Sequence, residues 1–594
     1  MIFGRHINKY YYKYFLFFLF GILALLAVNW VQLEIPKIYG QIIDGVSEEA
    51  QGKPDSLFHN PEGIKILMLE LGIIALIMFI GRFTWRYCIF GVAARVESDI
   101  RDDMFSHSLL LSNAYYKHHK TGALMALFTN DLQVIRQSFA SGTVMTIDAV
   151  FLGSMALVKM FISNWILACF SIVPMTLIAV VSVLVGRIMK QKFKERQEAY
   201  ENLSDFTQEN FSGIAVVKAF VKEIHEIRHF DKINEENRVK NINFVKFATL
   251  LNVLLTAIIS SIFVVLFAGG AYFVIHGYMG KPFTTGQMLE FIGYFDAVIW
   301  PFMAVAQLIN MRAQAKASLS RIDEFLDEKV DILDENVEEI DQIDGKIEFR
   351  NLTFNYPDGK EQVLKNISFV IPKGTMVGII GRTGCGKTTI VDLLLRTYNL
   401  DDGQIFIDDK DIMHIPYKKV RDSIGYVPQD NFLFSDTISN NIAFAYETID
   451  EECVVSAAKL ADVHNNIVEF QEKYNTILGE RGVTLSGGQK QRVSIARALV
   501  KDPSILIFDD SVSAVDTKTE ETILTNLRQL RKGKTTIMIA HRISTVQTLD
   551  LIVVMDDGKI VGQGTHEALL ESCIEYQEMV RLQSLEEAIH GGEK

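Results

Sequence analysis

Cysteine is scarce in this sequence of 594 residues, which has five cysteines scattered along its length. There is no CxxC pair and no zinc-like spacing, so neither a disulfide framework nor a zinc site is expected. Cys385 lies inside a glycine-rich loop, and a free thiol there indicates a reducing compartment. No A-x-A-like cleavage site follows the first apolar run, which argues against a signal peptide.

The sequence also lacks the excess of basic residues that a nucleic-acid-binding protein needs. The formal net charge is −13, with about +5 in residues 1–321 and about −18 in residues 322–594. A polyanion binds to a basic surface, so the acidic half is not expected to bind nucleic acid.

Long apolar runs are abundant in the first half, and the mean hydropathy of the whole chain is +0.18. Each run has about 20 residues or more, which is enough to cross the hydrocarbon core of a bilayer. We therefore predict an α-helical membrane domain of six spans. The runs are Tyr14–Leu33, Ile64–Phe83, Gly142–Ser163, Trp165–Val185, Phe247–Tyr272 and Met288–Met311.

Lysine and arginine are unevenly divided among the segments between these runs. The N-terminus and residues 91–141 and 186–246 are rich in them, whereas residues 34–63 and 276–287 are poor in them. The positive-inside rule therefore predicts that the N-terminus and both long segments face the cytoplasm.

Four carboxylates lie within the predicted spans, namely Glu70, Asp148, Glu290 and Asp296, and Glu70, Asp148 and Asp296 are the candidates for substrate handling. Ionisable residues at membrane depth are costly and often functional. One interpretation is that they line a polar or cation-attracting substrate cavity. The other is that they lie at the interface or pair across helices to fix the bundle. The sequence leaves both open.

The chain divides by composition into a membrane domain (1–321), an acidic linker (322–345) and a soluble domain (346–594). From residue 346 onward, short apolar strand patterns alternate with helical patterns. This alternation predicts an α/β domain.

The soluble domain contains a glycine-rich loop between the strand pattern Met376–Ile380 and the helical pattern Ile390–Arg396. In that context a GxxxxGK[ST] match predicts a phosphate-binding loop. Glycines allow successive N–H groups to surround an anion, Lys387 can reach the β/γ-phosphates, and the Thr388 hydroxyl can bind Mg²⁺. The loop residues are Gly381, Arg382, Thr383, Gly384, Cys385, Gly386, Lys387, Thr388 and Thr389.

Further motifs accompany this loop in a fixed order along the chain. The first two are Tyr356 and Gln429, which follows Gly425–Pro428. The third is the run Leu485, Ser486, Gly487, Gly488 and Gln489. The last two are Asp509, at the end of one apolar strand pattern, and His541, which follows a second apolar strand pattern. The set resembles the ATP-binding-cassette (ABC) superfamily, and the six preceding spans resemble its exporter-type half-transporters. The resemblance covers essentially the whole chain.

The resemblance implies a role for each motif. Tyr356 would stack on adenine, Asp509 would hold Mg²⁺, Gln429 would reach the metal, and His541 would contact the γ-phosphate. The residues from Leu485 to Gln489, together with Asp516, would contact ATP bound to a partner chain. Residues 113–120 and 213–220 resemble the coupling helices that carry motion to the membrane domain, and residues 476–482 resemble a loop associated with exporters.

The chain departs from its family at Asp510, where the family normally has the glutamate that orients the attacking water. Aspartate is one methylene shorter, which withdraws the carboxylate by about 1–1.5 Å and can cost on the order of 10²-fold in rate. We therefore interpret the site as degenerate, with a tolerated conservative change as the alternative. An intact signature beside a poor base favours one half of a heterodimer.

The sequence thus predicts ATP-driven efflux of an amphipathic or hydrophobic compound across the cell membrane, with ATP and Mg²⁺ as cofactors. A second half-transporter, the lipid bilayer and a small-molecule substrate are the expected partners. Lipid or peptide export, import, and a regulatory or channel-like ATP-binding subunit remain alternatives. Nothing in the sequence names the substrate.

Overall fold

A computed structural model describes residues 4–52, 61–279, 282–357, 359, 361–448, 450–479, 482–511 and 517–591. The chain divides into two compact units. The first comprises Met1–His107 and Thr121–Asp327, and the second comprises Ser108–Lys120 and Glu328–Lys594. The second unit differs from the sequence-based soluble domain (346–594) because it includes the short segment 108–120 from the N-terminal half and residues 328–345 of the predicted linker.

Helices account for nearly all of the described first unit. In chain order the α-helices as far as residue 327 are α1 (Asn8–Lys13), α2 (Phe15–Gln32), α3 (Ile35–Ala50), α4 (Pro61–Ser108), α5 (Asn113–His118), α6 (Thr121–Ala126), α7 (Leu132–Ile147), α8 (Gly153–Ser163), α9 (Trp165–Ser212), α10 (Ile214–Ala219), α11 (Glu223–His276) and α12 (Thr285–Leu326). Two π-helical turns, Leu127–Asp131 and Asp148–Leu152, interrupt the α-helical pattern.

Five helical stretches within the described residues are long and apolar enough to cross a membrane. The predicted fourth span begins α9, whose apolar stretch Trp165–Thr176 is followed by side chains outside the described set. The predicted turn near residue 164 is present, and the Asn164 side chain accepts hydrogen bonds from the N–H groups of Ile166 and Leu167. α11 contains 54 residues, or about 80 Å at 1.5 Å per residue, which is far longer than a bilayer core.

α3 and α12 pack closely, and a single carboxylate joins them. Asp44 accepts a hydrogen bond from the Thr284 hydroxyl at 2.6 Å and from the Gly286 N–H at 2.7 Å. It therefore satisfies free donors at the start of α12, where a negative charge is also favoured by the helix dipole. Gly40 and Gly286 allow the two backbones to approach, since a Cβ on Gly286 would overlap the Gly40 carbonyl oxygen.

The described part of the second unit contains two sheets. Its strands are β1 (Ile347–Phe354), β2 (Leu364–Ile371), β3 (Met376–Gly381), β4 (Ile405–Ile407), β5 (Lys410–Asp411), β6 (Ile424–Val427), β7 (Ile505–Asp509), β8 (Thr535–Ile539), β9 (Leu551–Asp556) and β10 (Lys559–Gly564). Its helices after α12 are α13 (Lys387–Leu394), α14 (Tyr417–Ser423), α15 (Ile438–Ile442), α16 (Glu451–Leu460), α17 (His464–Val468), α18 (Gly487–Leu499), α19 (Thr517–Leu530), α20 (Ile543–Val546), α21 (His566–Ser572) and α22 (Ile574–Gly591).

The larger sheet has the strand order β10-β9-β3-β8-β7-β6, and the pairs from β9 to β6 are parallel. All residues of β3, β7 and β8 are buried, as their continuous apolar sequences predict for strands covered on both faces. The smaller sheet, in the order β2-β1-β4-β5, is antiparallel.

Parallel pairing brings the carboxyl ends of these strands to one edge of the larger sheet. Ile539 at the end of β8 pairs with Ile379 of β3 on one side and with Asp509 of β7 on the other. Val427 at the end of β6 lies opposite Phe508. The loops that follow β3, β6, β7 and β8 therefore meet at this edge, where open α/β sheets bind ligands.

We predict that Gly286→Ala destabilises the membrane unit. The added Cβ would strike the backbone of Gly40, which cannot move aside as a side chain can, and overpacking of this kind costs about 1–3 kcal/mol. Gly72→Ala on α4 is the matched control, because its Cβ would meet no atom within 4 Å. Thermal unfolding of the detergent-solubilised chain should show a lower Tm for the first variant and an unchanged or higher Tm for the second, since alanine favours the helix more than glycine does. Equal Tm values would show that the Gly40–Gly286 approach does not matter for stability.

Candidate functional site

The glycine-rich loop connects the end of β3 to the start of α13 and lies at the carboxyl edge of the larger sheet. Gly381 cannot carry a side chain, because a Cβ would overlap the Met555 carbonyl oxygen on β9. Gly384 has a φ of +85°, and a Cβ on it would meet no atom within 4 Å. The space beside Gly384 is thus open, and the N–H groups at the start of α13 favour an anion.

Lys387 is buried and directs its ammonium group back into the loop. Its Nζ donates hydrogen bonds to the carbonyl oxygens of Gly381 at 2.9 Å and Arg382 at 3.0 Å. This position places a fixed positive charge where a phosphate would be surrounded by backbone N–H groups. Arg382 and Thr383 are exposed at the tip of the loop.

Cys385 is buried beneath the loop, with 4% of its surface exposed. Burial raises the pKa of its thiol. A buried thiol with a raised pKa is a poor nucleophile, so the loop cysteine fills space under the phosphate site.

Thr388 and Asp509 form the part of the site that fits a magnesium ion. The Thr388 hydroxyl donates to the Asp509 carboxylate at 3.2 Å, and the Tyr426 hydroxyl donates to its second oxygen at 3.5 Å. Hydroxyl and carboxylate oxygens are the ligands that Mg²⁺ accepts beside nucleotide phosphates. Burial is the main cause of the raised pKa of Asp509, and Asp392 and Asp510 raise it further. A cation beside this carboxylate would offset the cost of burying it.

Asp510 and His541 follow β7 and β8 and lie side by side. The His541 Nε2 is 3.9 Å from Asp510 Oδ2, which is beyond hydrogen-bond distance. Asp510 has a φ of +47°, a left-handed conformation that aspartate adopts more readily than most residues. Its N–H donates to the Ile539 carbonyl at 3.0 Å, so the backbone position of this residue is fixed by β8.

Gln583 on α22 holds the loop that contains His541. Its side-chain amide donates to the His541 carbonyl at 2.5 Å and accepts from the Ile543 N–H at 2.7 Å. One side chain therefore fixes two backbone groups around the histidine. No sequence motif pointed to this residue.

Tyr356 lies just after β1 and is joined to the phosphate loop. Its hydroxyl is 2.9 Å from the Thr389 hydroxyl at the start of α13. The ring packs edge-to-face against Phe354 and Tyr398, with ring centroids 5.2 Å away in each pair. Such a ring, fixed beside a phosphate site, can stack on a base.

The signature residues form the N-terminus of α18. Ser486 is the N-cap, and its hydroxyl accepts from the Gln489 N–H while the Gln489 side chain accepts from the Ser486 N–H. Leu485 is buried, Ser486 and Gly487 are exposed, and Gly488 is half-buried. This 13-residue helix therefore presents a second anion-binding end to the surface.

Gln429 and Asp516 are two further residues that the sequence predicts for the site. Gln429 lies just beyond β6 at the same edge of the sheet, but its side chain is exposed. Asp516 lies outside the described residues, together with residues 512–515 and with Glu480 and Arg481 of the predicted exporter loop.

The three carboxylates that are candidates for substrate handling occupy different environments. Asp148 is buried at the start of a π-helical turn and accepts from Asn29 at 2.9 Å and from the Trp300 indole at 3.1 Å. Glu70 on α4 and Asp296 on α12 are exposed. Asp148 thus links α2 and α12 through neutral donors, whereas Glu70 and Asp296 face away from the described chain.

Comparison with known proteins agrees with this geometry. Residues 18–302 match the model of the ABC transporter transmembrane region, and residues 364–513 match the ABC transporter model. The probable multidrug resistance ABC transporter ATP-binding/permease protein YheI of Bacillus subtilis (strain 168) is 35% identical over 589 residues, covering 99% of each chain.

The chain belongs to the ABC transporter family.

Other comparisons support the exporter type within this family. The multidrug resistance-like ATP-binding protein MdlA of Escherichia coli (strain K12) is 33% identical over 567 residues, covering 95% of this chain and 94% of MdlA. A solved structure of a bacterial Atm1-family ABC exporter with ATP bound has a TM-score of 0.74 and 25% identity, and the match covers 95% of this chain and 97% of that one. The predicted fold class is confirmed. The transporter is a multi-span membrane protein of an ATP-binding, ATPase-coupled family.

The sequence assigned no role at the site to three nearby residues, namely Tyr426, Gln583 and Lys117, although residues 113–120 were identified as resembling a coupling helix. Tyr426 lies in the strand pattern that precedes Gln429, two residues before Pro428, and its position in this motif was a signal in the sequence. The structure shows that this strand pairs with β7. Lys117 lies on α5, 3.0 Å from the Tyr398 hydroxyl. Gln583 and Lys117 come from remote parts of the sequence, so only the fold reveals their proximity.

We predict that Gln583→Ala weakens the discrimination of ATP from ADP. If His541 contacts the γ-phosphate, loosening its loop by two hydrogen bonds of about 1 kcal/mol each should lower the ratio of ADP Kd to ATP Kd roughly three- to tenfold. Competition binding on the purified full-length chain measures this ratio. Gln577→Ala on the same helix is the control, since Gln577 donates to the Leu570 carbonyl. An unchanged ratio in Gln583→Ala would contradict a positioning role.

Proposed function

We propose that this transporter exports an amphipathic or hydrophobic compound across the cell membrane, as one half of a heterodimer. The N-terminus and the second unit would lie in the cytoplasm, which the distribution of lysine and arginine supports. The names of YheI and MdlA support a multidrug-type substrate. The membrane domain, the acidic linker and the ATP-binding domain would comprise residues 1–321, 322–345 and 346–594.

ATP would bind with Mg²⁺ at the glycine-rich loop. Lys387 and the N–H groups of α13 would hold the phosphates, and Thr388 and Asp509 would hold the metal, with Gln429 near it. The 3.2 Å hydrogen bond between Thr388 and Asp509 supports this assignment, because it places two suitable oxygens side by side. The Tyr356 ring would stack on adenine.

The heterodimer proposal rests on the combination of Asp510 with an intact signature helix. A carboxylate about 1–1.5 Å short of the usual position orients an attacking water poorly. The exposed Ser486 end of α18 remains a complete anion site. A partner with a glutamate at the equivalent position would use that end to complete a fast site, while this chain's loop, with the partner's signature, would hold ATP for longer.

We predict that Asp510→Glu raises ATP hydrolysis. In the purified full-length chain, turnover should be slow and should rise by up to about 10²-fold when the longer carboxylate reaches the water. Asp510→Asn should not raise it. In the complex with the partner chain, Asp510→Glu should leave transport intact and increase hydrolysis. Robust turnover by the unmodified chain alone would contradict the degenerate site and the heterodimer.

The exposed side of α12 supports a substrate-binding role for Asp296. Asp296, Trp300, Met303 and Gln307 recur at helical spacing and are all exposed. A carboxylate and an amide in a membrane span are costly in hydrocarbon, so this face is expected to border a water-filled cavity or a partner. The negative charge favours a cationic substrate.

Glu70 lies in a different setting. Its neighbours at helical spacing on α4, Ile66 and Ile73, are exposed apolar side chains. A glutamate on such a face, about six residues into the predicted span, can extend its carboxylate towards the interface. Asp148 would serve as an interhelical link, since both of its oxygens already accept hydrogen bonds.

We predict that Asp296→Asn reduces ATP-dependent transport of the lipophilic cation ethidium more than that of a neutral hydrophobic dye. Loss of one unit charge in a partly desolvated cavity should raise the KM for the cation roughly three- to tenfold. Uptake into inside-out vesicles that contain the complex measures both dyes and the direction of transport. Glu70→Gln is the matched control and should leave both unchanged. Equal loss for the cation and the neutral dye would argue against charge recognition at Asp296.

A further inference from the structure

The segment Ser108–Lys120 belongs to the second unit although it joins α4 to α6 in the chain. Ala114 on α5 packs against the apolar cluster that includes Phe354 and Tyr398. The Ser112 hydroxyl donates to the Asp331 carboxylate at 3.1 Å. These contacts hold α5 against this cluster and against the segment that follows α12.

Lys117 is the cation that this segment directs towards the site. Its Nζ donates to the Tyr398 hydroxyl at 3.0 Å and lies 5.1 Å from the centroid of the Tyr356 ring and 5.5 Å from that of the Tyr398 ring. Both distances are within the range of cation–π attraction. The hydrogen bond to Tyr398 is the main cause of the raised pKa of Lys117, so the group remains an ammonium at neutral pH.

The Tyr356 ring is held between Lys117 and the phosphate loop. Tyr398 and Phe354 contact it edge-to-face, at interplanar angles of 78° and 80°. Its hydroxyl is tied to the buried Thr389 on the phosphate-loop helix. Asp392 on the same helix is half-buried, and this desolvation raises its pKa, while the charge of Lys117 acts in the opposite direction. Contacts with α13 and α5 together therefore fix the orientation of the Tyr356 ring.

We propose that Lys117 is a positioning residue for Tyr356, through which the 108–120 segment responds to a purine base bound on that ring. The proposal rests on the ATP site of the proposed function. A ring that is held in place before binding loses less conformational freedom when a base stacks on it, so removal of the ammonium weakens base binding. By linkage, a bound base must stabilise the contact of Lys117 with the ring to the same extent.

A double-mutant cycle tests the route through the ring. In the purified full-length chain, Lys117→Met should raise the ATP Kd about three- to tenfold, and Lys117→Arg should restore most of the affinity because arginine also makes cation–π contacts. In a Tyr356→Ala background, Lys117→Met should have no further effect. Lys120→Met, an exposed lysine of the same segment, is the control and should bind ATP normally.

Amide hydrogen exchange of residues 108–120 tests the response of the segment. ATP should slow exchange there in the unmodified chain, and inorganic tripolyphosphate, which has no base, should not. In Lys117→Met, ATP should no longer slow exchange in this segment, and the Tm without ligand should be unchanged. If Lys117→Met does not fold, Lys117→Arg is measured in its place and should keep the slowing of exchange by ATP.

The two experiments separate the failure of this proposal from that of the ATP site. Additive effects in the cycle, or equal slowing of exchange by tripolyphosphate, would overturn the role of Lys117 and leave the ATP site in place. An ATP Kd that Tyr356→Ala does not change would overturn base stacking on Tyr356 itself. In that case both this proposal and the adenine assignment in the proposed function fail.

Discussion

The parallel pairing of β3 with β8 and of β8 with β7 fixes where the functional groups of this transporter lie. Because the strands run in the same direction, Gly381, Asp509 and Ile539 end at one edge of the sheet. A register slip of one residue would move Asp509 by about 3.3 Å and turn its side chain to the other face. The hydrogen bond between Thr388 and Asp509 depends on this register, as do the positions of Asp510 and His541.

Before any ligand binds, negative charge outweighs positive charge at this edge of the sheet. Asp392, Asp509 and Asp510 bring three carboxylates near one another, and their mutual repulsion contributes to the raised pKa of Asp509. Lys387 supplies one positive charge, and its ammonium group donates hydrogen bonds to backbone carbonyl oxygens of the phosphate loop. A nucleotide adds further negative charge, so a site of this composition is suited to ATP that arrives with a divalent cation.

The sequence predicted the parts of the site that are contiguous in the chain. The loop from Gly381 to Thr389 and the strand that ends at Asp509 were identified because their backbone geometry is encoded locally by glycines and by apolar runs. Gln583 and Lys117 were not, because each reaches the site through side-chain contacts between distant segments, and the position of Tyr426 beside Asp509 likewise depends on the pairing of β6 with β7. Side-chain chemistry alone does not reveal such proximity.

The membrane half was predictable at a coarser level. Length and hydropathy gave the spans, but the π-helical turns at Leu127–Asp131 and Asp148–Leu152 were not foreseen. Such a turn adds about one residue to the helix and rotates the next part of the helix by about 100°. An assignment of faces at a uniform period of 3.6 residues therefore fails beyond residue 131 of this helical stretch, which is where Asp148 lies.

The inclusion of residues 108–120 in the second unit has a practical consequence for biochemistry on separated parts of the transporter. A soluble fragment that starts at Glu328 would lack α5, so the surface that Ala114 covers would face water and Tyr398 would lose the ammonium that it binds. Nucleotide affinities measured on such a fragment would be those of a site in which Tyr356 and Tyr398 lack their contacts with Lys117. Faithful values require the short helix that the N-terminal half of the chain contributes to this unit.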